Sequence, residues 1–201
     1  MQDIVASGGT ARAVGTDVRN EEAVQALFAQ VEAELGAVEV CLFNAGANVK
    51  SLLIETTAKL SLKAWELACY SGFLTGREAA RYMVPRGRGT ILFTGATASV
   101  RGGSGFAAFA AAKFGLRAVA QSMARELACK NVHVAHLIID GAIDSEAIHR
   151  RLNAATGTMP DLAPDSLIQT NSIAEAYWAL HNQSRDGWTH ELDIRPYSER
   201  W

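Results

Sequence analysis

The stretch from Thr90 to Lys130 constrains the fold more than any other part of the chain, because it joins a strand, a glycine-rich loop and a long helix. Thr90–Thr94 is a short apolar run with β-branched residues, which is typical of a strand. Gly95–Gly105 contains four glycines and two serines. Phe106–Leu127 follows with apolar residues at helical spacing. The sequence therefore predicts a strand–loop–helix unit.

One charged residue interrupts the apolar stripe of this helix. Burying an ammonium group among aromatic rings is unfavourable unless a partner or a ligand stabilises it. Lys113 is therefore a candidate functional residue. In the alternative interpretation, its stem packs against the stripe while its amine reaches the solvent of a cleft. The stripe consists of Phe106, Phe109, Lys113, Leu116, Ala120, Met123 and Leu127.

The rest of the chain alternates between predicted strands and predicted helices. Such alternation is typical of right-handed βαβ units. We therefore expect a single α/β domain, residues 1–201, with a three-layer Rossmann-like architecture and a mainly parallel sheet. Ala154–Pro164 shows little pattern and is predicted to be flexible. The other predicted strands are Ala11–Thr16, Val38–Phe43, Val132–Ile139 and Trp188–Ile194, and the other helices are Met1–Ser7, Asn20–Leu35, Leu60–Val84, Glu146–Leu152 and Ser172–His181.

Two glycines, Gly72 and Gly76, lie inside the predicted helix Leu60–Val84. Either they lower the stability of that helix, or they allow another element to approach it closely.

Several loops follow predicted strands and are candidates for one binding cleft. In parallel sheets of this kind, ligands bind beyond the carboxyl ends of the strands. Asp17, Asn44, Thr94–Gly105 and Asp140–Ser145 all occupy such positions. We therefore expect one cleft to collect them.

Composition excludes several classes of function. The net charge of −2 gives no basic footprint for nucleic acid, and no apolar run approaches the length of a membrane span. The three cysteines are widely spaced and the five histidines show no ligand spacing, so we predict no metal site. The start of the chain lacks the features of a signal peptide, and we expect a cytoplasmic protein.

The spaced motifs together resemble the short-chain dehydrogenase/reductase family, across nearly the whole chain. Asp17-Val18 is similar to the family's Asp-Val after the third strand, and Asn44-Ala45-Gly46 to its Asn-Ala-Gly after the fourth. Lys113 matches the lysine of Tyr-x-x-x-Lys. Gly141, Ile143 and Ser145 match the Pro-Gly-x-Val-x-Thr loop. The resemblance implies a cofactor, NAD or NADP, and interconversion of alcohols and carbonyls.

The same resemblance implies a role for each matched residue. Asp17 would contact the adenine, or else support the start of the Asn20 helix. Asn44 would fix the sheet, or else be a turn residue. Lys113 would bind the ribose hydroxyls, and Ser145 would touch the carboxamide or else cap the following helix. Val18, Ala45, Gly46, Gly141 and Ile143 complete the predicted cofactor-binding set.

Two positions depart from the family's catalytic residues. Phe109 stands where the family has its tyrosine, and Ala96 stands where it has its serine. The tyrosine hydroxyl normally gives a proton to the carbonyl oxygen, and the serine hydroxyl stabilises the developing oxyanion. Lys113 alone remains, which is typical of a divergent branch with Phe for Tyr. Tyr70 or Tyr177 could replace the missing acid.

The resemblance begins just before the family's third strand, so the first βαβ portion and its glycine-rich turn have no counterpart. Gly103–Ala108 fits the pattern G-x-G-x-x-A but lies well after its strand. We therefore expect weak cofactor binding or none, and we interpret the chain as a truncated version, or a mis-started reading, of a longer protein. Ala11–Thr16 could fill the vacant sheet position, a partner chain could fill it, or the edge could stay open.

The sequence thus leaves two functions open. One is an NAD(P)-dependent oxidoreductase acting on an unidentified alcohol or carbonyl, with Lys113 working through water or another acid. The other is a non-catalytic scaffold that oligomerises or regulates. By resemblance, the helix after Phe106 and the helix containing Trp65 would form the interface of a homo-dimer or tetramer.

Overall fold

A wholly parallel sheet of four strands forms the centre of the computed structural model, which describes residues 2–46, 48–157 and 161–199. The strands are β1 (Val40–Phe43), β2 (Thr90–Thr94), β3 (His133–Ile139) and β4 (Glu191–Ile194). They lie in the order β1-β2-β3-β4, so each crossover leads to the neighbouring strand. The predicted α/β fold class is confirmed.

Seven α-helices accompany these strands in the described part of the chain. N-cap residues stabilise the first turn of two of these helices. The side chain of Asn20 accepts a hydrogen bond from the amide of Ala23, and the side chain of Thr57 accepts one from the amide of Leu60. The helices are α1 (Gln2–Ala6), α2 (Glu21–Glu34), α3 (Ala58–Trp65), α4 (Ser71–Arg86), α5 (Ala107–Leu127), α6 (Glu146–Thr156) and α7 (Thr170–His181).

The larger core lies between one face of the sheet and helices α2, α4 and α5. Alternate side chains of β1, Cys41 and Phe43, point into this core, as a strand's period of two requires. The rings of Phe43 and Phe93 lie 6.2 Å apart between their centroids. Leu116 and Ala120 of α5 are fully buried against the sheet.

Helix α7 packs on the opposite face and completes the three layers. Leu180 from α7 joins Leu92 and Leu137 in a second core. This layer does not reach β1, where Val40 and Leu42 are 39% and 45% exposed. In the described structure, β1 pairs only with β2, so its outer edge is open.

The predicted strand Ala11–Thr16 is wrong. This segment is an irregular connection and pairs with none of the four strands. A strand is stabilised by hydrogen bonds to a neighbour, and without such pairing the β-type residues do not extend into a ladder. An ion pair between Arg12 and Glu34 instead ties the segment to α2.

The predicted helix Leu60–Val84 is interrupted. Helix α3 passes into a turn of π-helix at Glu66–Tyr70 before α4 begins. Helix α4 continues through Pro85 to Arg86, beyond the predicted end at Val84, and Gly87 caps it with a left-handed φ of 64°. Only glycine adopts that conformation without a steric penalty.

Gly72 and Gly76 allow α4 to lie close to α5 and the sheet, which is the second of the two alternatives that the sequence left open. A Cβ at Gly72 would lie 2.3 Å from Leu116 Cδ1, and one at Gly76 would lie 2.7 Å from Phe93 Cζ. Both contacts are shorter than van der Waals distance, so these glycines fit α4 against the sheet and α5.

Smaller differences concern boundaries. Helix α6 extends to Thr156, so the first residues of the segment predicted to be flexible are helical, while residues 158–160 lie outside the described part. Strand β4 begins at Glu191, three residues after the predicted start. No helix in the described ranges combines the length and apolarity needed to cross a bilayer.

Replacing Gly76 by valine should destabilise the protein. The added methyl groups would collide with the fully buried ring of Phe93 and with Met123, whose Sδ lies 2.9 Å from the Cβ position. Overpacking of this kind lowers the free energy of unfolding by about 1–3 kcal/mol. Chemical denaturation monitored by circular dichroism measures the change.

The matched control is Gly15→Val, because no atom lies within 4 Å of a Cβ at Gly15. Equal stability of Gly76→Val and the wild-type chain would contradict the close packing of α4.

Candidate active site

A cavity of about 650 Å³ opens beyond the carboxyl ends of β2 and β3. The loop after β2, the start of α5, the loop after β3 and the first turns of α6 surround it. This is the edge at which a parallel sheet places its ligands. Its lining includes Asn48, Thr94, Gly95, Ala96, Thr97, Ala98, Arg101, Gly102, Gly103, Phe106, Phe109, Ile139, Gly141, Ala142, Ile143, Ser145, Ala147, Ile148 and Arg151.

Lys113 lies just behind the wall of this cavity. Its side chain is buried, and its Nζ donates a hydrogen bond to the carbonyl oxygen of Thr94 at 2.8 Å. A Cβ placed on Gly46 would lie 3.4 Å from the same Nζ, so the amine also reaches the turn after β1. Burial lowers the pKa of Lys113 to about 8.

Phe109 presents its ring to the cavity one helical turn before Lys113. It is 9% exposed and belongs to a small apolar cluster with Ala98 and Ala110. The spacing of four on α5 places Phe109 and Lys113 on the same side of the helix. The position carries a hydrocarbon ring, which can bind an apolar group but has no proton to donate.

Ala96 also lines the cavity, and the hydroxyl groups near it are engaged elsewhere. Thr97 Oγ1 donates to a carboxylate oxygen of Asp140 at 2.5 Å. Ser99 Oγ accepts a hydrogen bond from the amide of Ala96 at 3.1 Å. Both hydroxyls are thus engaged in hydrogen bonds within the protein.

The loop after β3 brings three predicted residues to the opposite wall. Gly141, Ile143 and Ser145 all line the cavity. Gly141 has a φ of +159°, and a Cβ there would lie 2.6 Å from Pro196 Cδ. Ile143 forms a parallel bridge with Ile168, which fixes the loop.

Ser145 is the N-cap of α6, with its Oγ accepting from the amide of Ile148 at 3.4 Å. The capping alternative for this residue is thus present in the structure. Its predicted contact with a carboxamide stays a prediction.

Asp17 and Val18 do not join the cavity. Asp17 lines a separate small cavity with Arg19, Glu66 and Tyr70. Its carboxylate accepts hydrogen bonds from the Arg19 guanidinium at 2.8 and 2.9 Å, which lower the pKa of Asp17 to about 2. Val18 packs at the margin of the larger core. The expectation that one cleft collects every strand-end residue is therefore wrong for Asp17, and Asn44 also lies outside the lining of the large cavity.

The Asn44-Ala45-Gly46 turn is placed between these two regions. Gly46 meets the Lys113 amine, whereas none of the three residues lines the large cavity. The cofactor contacts predicted for this turn stay predictions.

Neither tyrosine considered as a replacement acid lines the cavity. Tyr177 is a partly buried residue of α7, and its hydroxyl shares a hydrogen bond of 2.6 Å with Thr94 Oγ1. Burial raises the pKa of Tyr177 to about 12. Tyr70 stacks on Trp65 and lines the small cavity beside Asp17.

A buried ionic cluster beside the cavity was missed by the sequence reasoning. Asp140, 3% exposed, accepts from Thr97 and contacts Arg101 at 3.4 Å and Arg195 at 3.5 Å. The sequence offered one indication of this cluster, because Asp140 stands where the family's Pro-Gly-x-Val-x-Thr loop has its proline. Its partners Arg101 and Arg195 are distant in sequence, so no local pattern reveals them.

A second buried polar group lies behind Lys113. His136 of β3 is fully buried, and its Nδ1 lies 3.3 Å from a carboxylate oxygen of Glu191, which also binds Arg117 at 2.6 Å. Burial lowers the pKa of His136 to about 4, so the ring is neutral near pH 7. Among the described residues, no group of three or more His, Cys, Asp or Glu could hold a metal ion.

The protein thus has a Rossmann-like α/β fold, with its cavity at the carboxyl edge of a parallel sheet. The sequence profile described as enoyl-(acyl carrier protein) reductase matches residues 1–191. The chain belongs to the short-chain dehydrogenase/reductase family.

Among curated relatives, the chain is 31% identical over 139 residues to the 3-oxoacyl-[acyl-carrier-protein] reductase of Bos taurus. That alignment covers 69% of this chain and 58% of the relative. The chain thus spans little more than half the length of this curated relative.

Solved structures share the fold. A short-chain dehydrogenase from Rhodopseudomonas palustris is 49% identical, with a TM-score of 0.80 over 98% of this chain and 79% of that one. A metagenomic short-chain oxidoreductase in complex with NADP is 22% identical, with a TM-score of 0.78 and the same coverages. The second likeness concerns the fold alone.

The buried amine of Lys113 should make stability rise with pH. Its pKa is about 8 in the folded chain and 10.5 ordinarily, so between these values the unfolded chain binds more protons. The stabilisation is complete above 10.5 and is lost as pH falls through 8, by about 3 kcal/mol. Denaturation at pH 7 to 10.5 should show Lys113→Met gaining less with pH than the wild-type chain.

Lys63, an exposed lysine on α3, provides the control. The variant Lys63→Met should follow the wild-type pH profile. Identical pH profiles for Lys113→Met and the wild-type chain would contradict the buried environment of the amine.

Proposed function

We propose that this protein is an NAD(P)-dependent oxidoreductase that interconverts an alcohol and a carbonyl, and that its chemical step is slow. The observation that carries the proposal is a desolvated lysine amine behind the wall of an apolar cavity at the carboxyl edge of the sheet. Membership of the family supplies the reaction class.

The residues around the cavity fit the nicotinamide half of such a cofactor. Lys113 keeps hydrogen-bonding capacity beyond its bond to Thr94, because an ammonium group has three donors. Gly46 leaves space beside that amine. Ile143 and Ser145 face the same cavity. These residues would hold the ribose and the nicotinamide ring.

Fewer residues of the chain are placed to bind the adenine half of the cofactor. Asp17 is already paired with Arg19, outside the large cavity. The glycine-rich segment at Gly103 lines the cavity but follows its strand at a distance. We therefore propose that this chain binds NAD or NADP weakly, mainly through the nicotinamide half.

When bound, the cofactor would supply or accept a hydride. The proton for the carbonyl oxygen would come from Lys113 through a water molecule, since a pKa of about 8 allows the amine to donate or accept near neutral pH. The side chains of Phe109 and Ala96 add no proton donor to the cavity wall. Loss of a positioned acid lowers rates by about 10²- to 10⁴-fold, which is why we propose a slow step.

The second candidate is a non-catalytic scaffold. It is favoured by the engagement of the nearest hydroxyl groups: Thr97 binds Asp140, and Ser99 binds the amide of Ala96. In such a protein, the residues of the cavity wall would stabilise the fold, and the protein would act by oligomerising or by regulating a partner.

Both candidates are compatible with a homo-dimer or tetramer built on α3, α4 and α5. Large apolar side chains remain partly exposed on these helices, and burying them in an interface would be favourable. They are Leu62, Trp65, Phe73 and Phe114.

A charge placed on this surface should weaken self-association. Phe114→Glu would introduce a carboxylate at a 42% exposed position of α5, where burial in an interface would leave it unpaired. Analytical ultracentrifugation should show a lower sedimentation coefficient than for the wild-type chain. Tyr197→Glu, at an exposed site beyond β4, is the control, and equal sedimentation of all three proteins would contradict this interface.

Cofactor titration separates the two candidate functions. NADH and NADPH are titrated while their fluorescence is followed, with Lys113→Ala as the comparison. An oxidoreductase should bind at least one of them and lose affinity in Lys113→Ala. Absence of binding to the folded wild-type chain would favour the scaffold and overturn the proposal.

Restoring the missing hydroxyls should accelerate turnover. The double variant Phe109→Tyr, Ala96→Ser places a phenol and a hydroxyl at two cavity-lining positions. Oxidation of NADPH with a panel of aldehydes and ketones should become faster by about 10²-fold or more, since proton transfer alone contributes that much.

The control is Phe106→Tyr, which adds a phenol to the same cavity one further turn from Lys113. An equal increase in the rate of NADPH oxidation by this control would show that the position of the phenol relative to the Lys113 amine does not matter. An unchanged rate in the double variant would contradict a functional nicotinamide site.

A further inference from the structure

The charge on the cavity wall is unbalanced. Two arginines, Arg101 and Arg151, are the charged residues of its lining, and no aspartate or glutamate joins them among the described residues. The rest of the wall is mainly apolar, with the rings of Phe106 and Phe109 on one side and Ile143 and other aliphatic residues of the β3–α6 region on the other. A ligand that fills this space meets an apolar surface and a positive one.

Arg101 is neutralised by the protein itself. Its guanidinium lies 3.4 Å from a carboxylate oxygen of buried Asp140 and 3.2 Å from one of Glu199. These contacts also hold the side chain in place, so Arg101 is a structural part of the wall.

Arg151 has no such partner. No carboxylate of the described residues forms an ion pair with it, and the residues three and four positions away on α6 are Ile148, Ala147, Ala154 and Ala155. Its neighbour Arg150 has Glu146 one turn earlier, at 3.9 Å. Of the two adjacent arginines, the one that lines the cavity is therefore the one that forms no ion pair with the described residues.

We propose that Arg151 binds the carboxylate of an apolar carboxylic acid substrate, whose hydrocarbon part lies against Phe106, Phe109 and Ile143. A guanidinium presents two parallel donors that match the two oxygens of a carboxylate. The inference rests on the proposed function and gives that cavity a substrate class: an oxo acid or hydroxy acid with an apolar body.

A direct binding experiment tests the inference without cofactor or turnover. Octanoate and octanamide, which share size and shape but differ in charge, are titrated into the full chain by calorimetry. Octanoate should bind about tenfold more tightly, the effect of one charge-assisted hydrogen bond. Arg151→Ala should abolish that preference, and Arg151→Lys should restore part of it.

Arg150→Ala is the matched control, because it removes the same charge from the same helix at a side chain outside the cavity lining. Its octanoate affinity should equal that of the wild-type chain. Circular dichroism verifies that each variant is folded, and raising the salt concentration should weaken octanoate binding more than octanamide binding.

Three outcomes would overturn the inference. One is equal affinity of the wild-type chain for octanoate and octanamide. Another is an equal loss of octanoate binding in Arg150→Ala and Arg151→Ala, which would indicate a general charge effect. The third is a loss of NADPH binding, but not of octanoate binding, in Arg151→Ala, since the guanidinium would then serve a cofactor phosphate. Octanoate binding without any cofactor binding would instead contradict the proposed function and leave the carboxylate site standing.

Discussion

The close packing of α5 on the sheet is the constraint on which the rest of the structure depends. Ala112, Leu116 and Ala120 are fully buried along one face of this helix, and the glycines of α4 let the neighbouring helix approach equally closely. Lys113 lies next to this face, so packing removes its amine from water. The pKa of the amine and its bond to Thr94 both follow from that geometry.

Desolvation has different consequences for the amine and for the cavity beside it. The amine becomes easier to deprotonate, because burial disfavours its charged form. The cavity becomes a place where an apolar ligand replaces water, because Phe109 and Ala96 offer no polar atoms from their side chains. The chain therefore places a buried amine behind a cavity wall that is apolar at Phe109 and Ala96.

Local patterns were sufficient to predict the fold class and the position of Lys113, because periodicity and strand-end positions are properties of short segments. They failed for Ala11–Thr16, where β-type residues lack a partner strand. They also failed for Asp140, whose partners Thr97 and Arg195 come from distant parts of the chain. Contacts of that kind depend on tertiary packing, which a single sequence does not display.

Thr94 connects the two helical layers of the protein. Its carbonyl oxygen accepts from Lys113 on the side of α5, while its hydroxyl bonds to Tyr177 of α7 on the other side of the sheet. One residue at the end of β2 thus bonds to both helical layers. Removing the Tyr177 hydroxyl would therefore leave Thr94 attached to the α5 layer alone, through its carbonyl bond to Lys113.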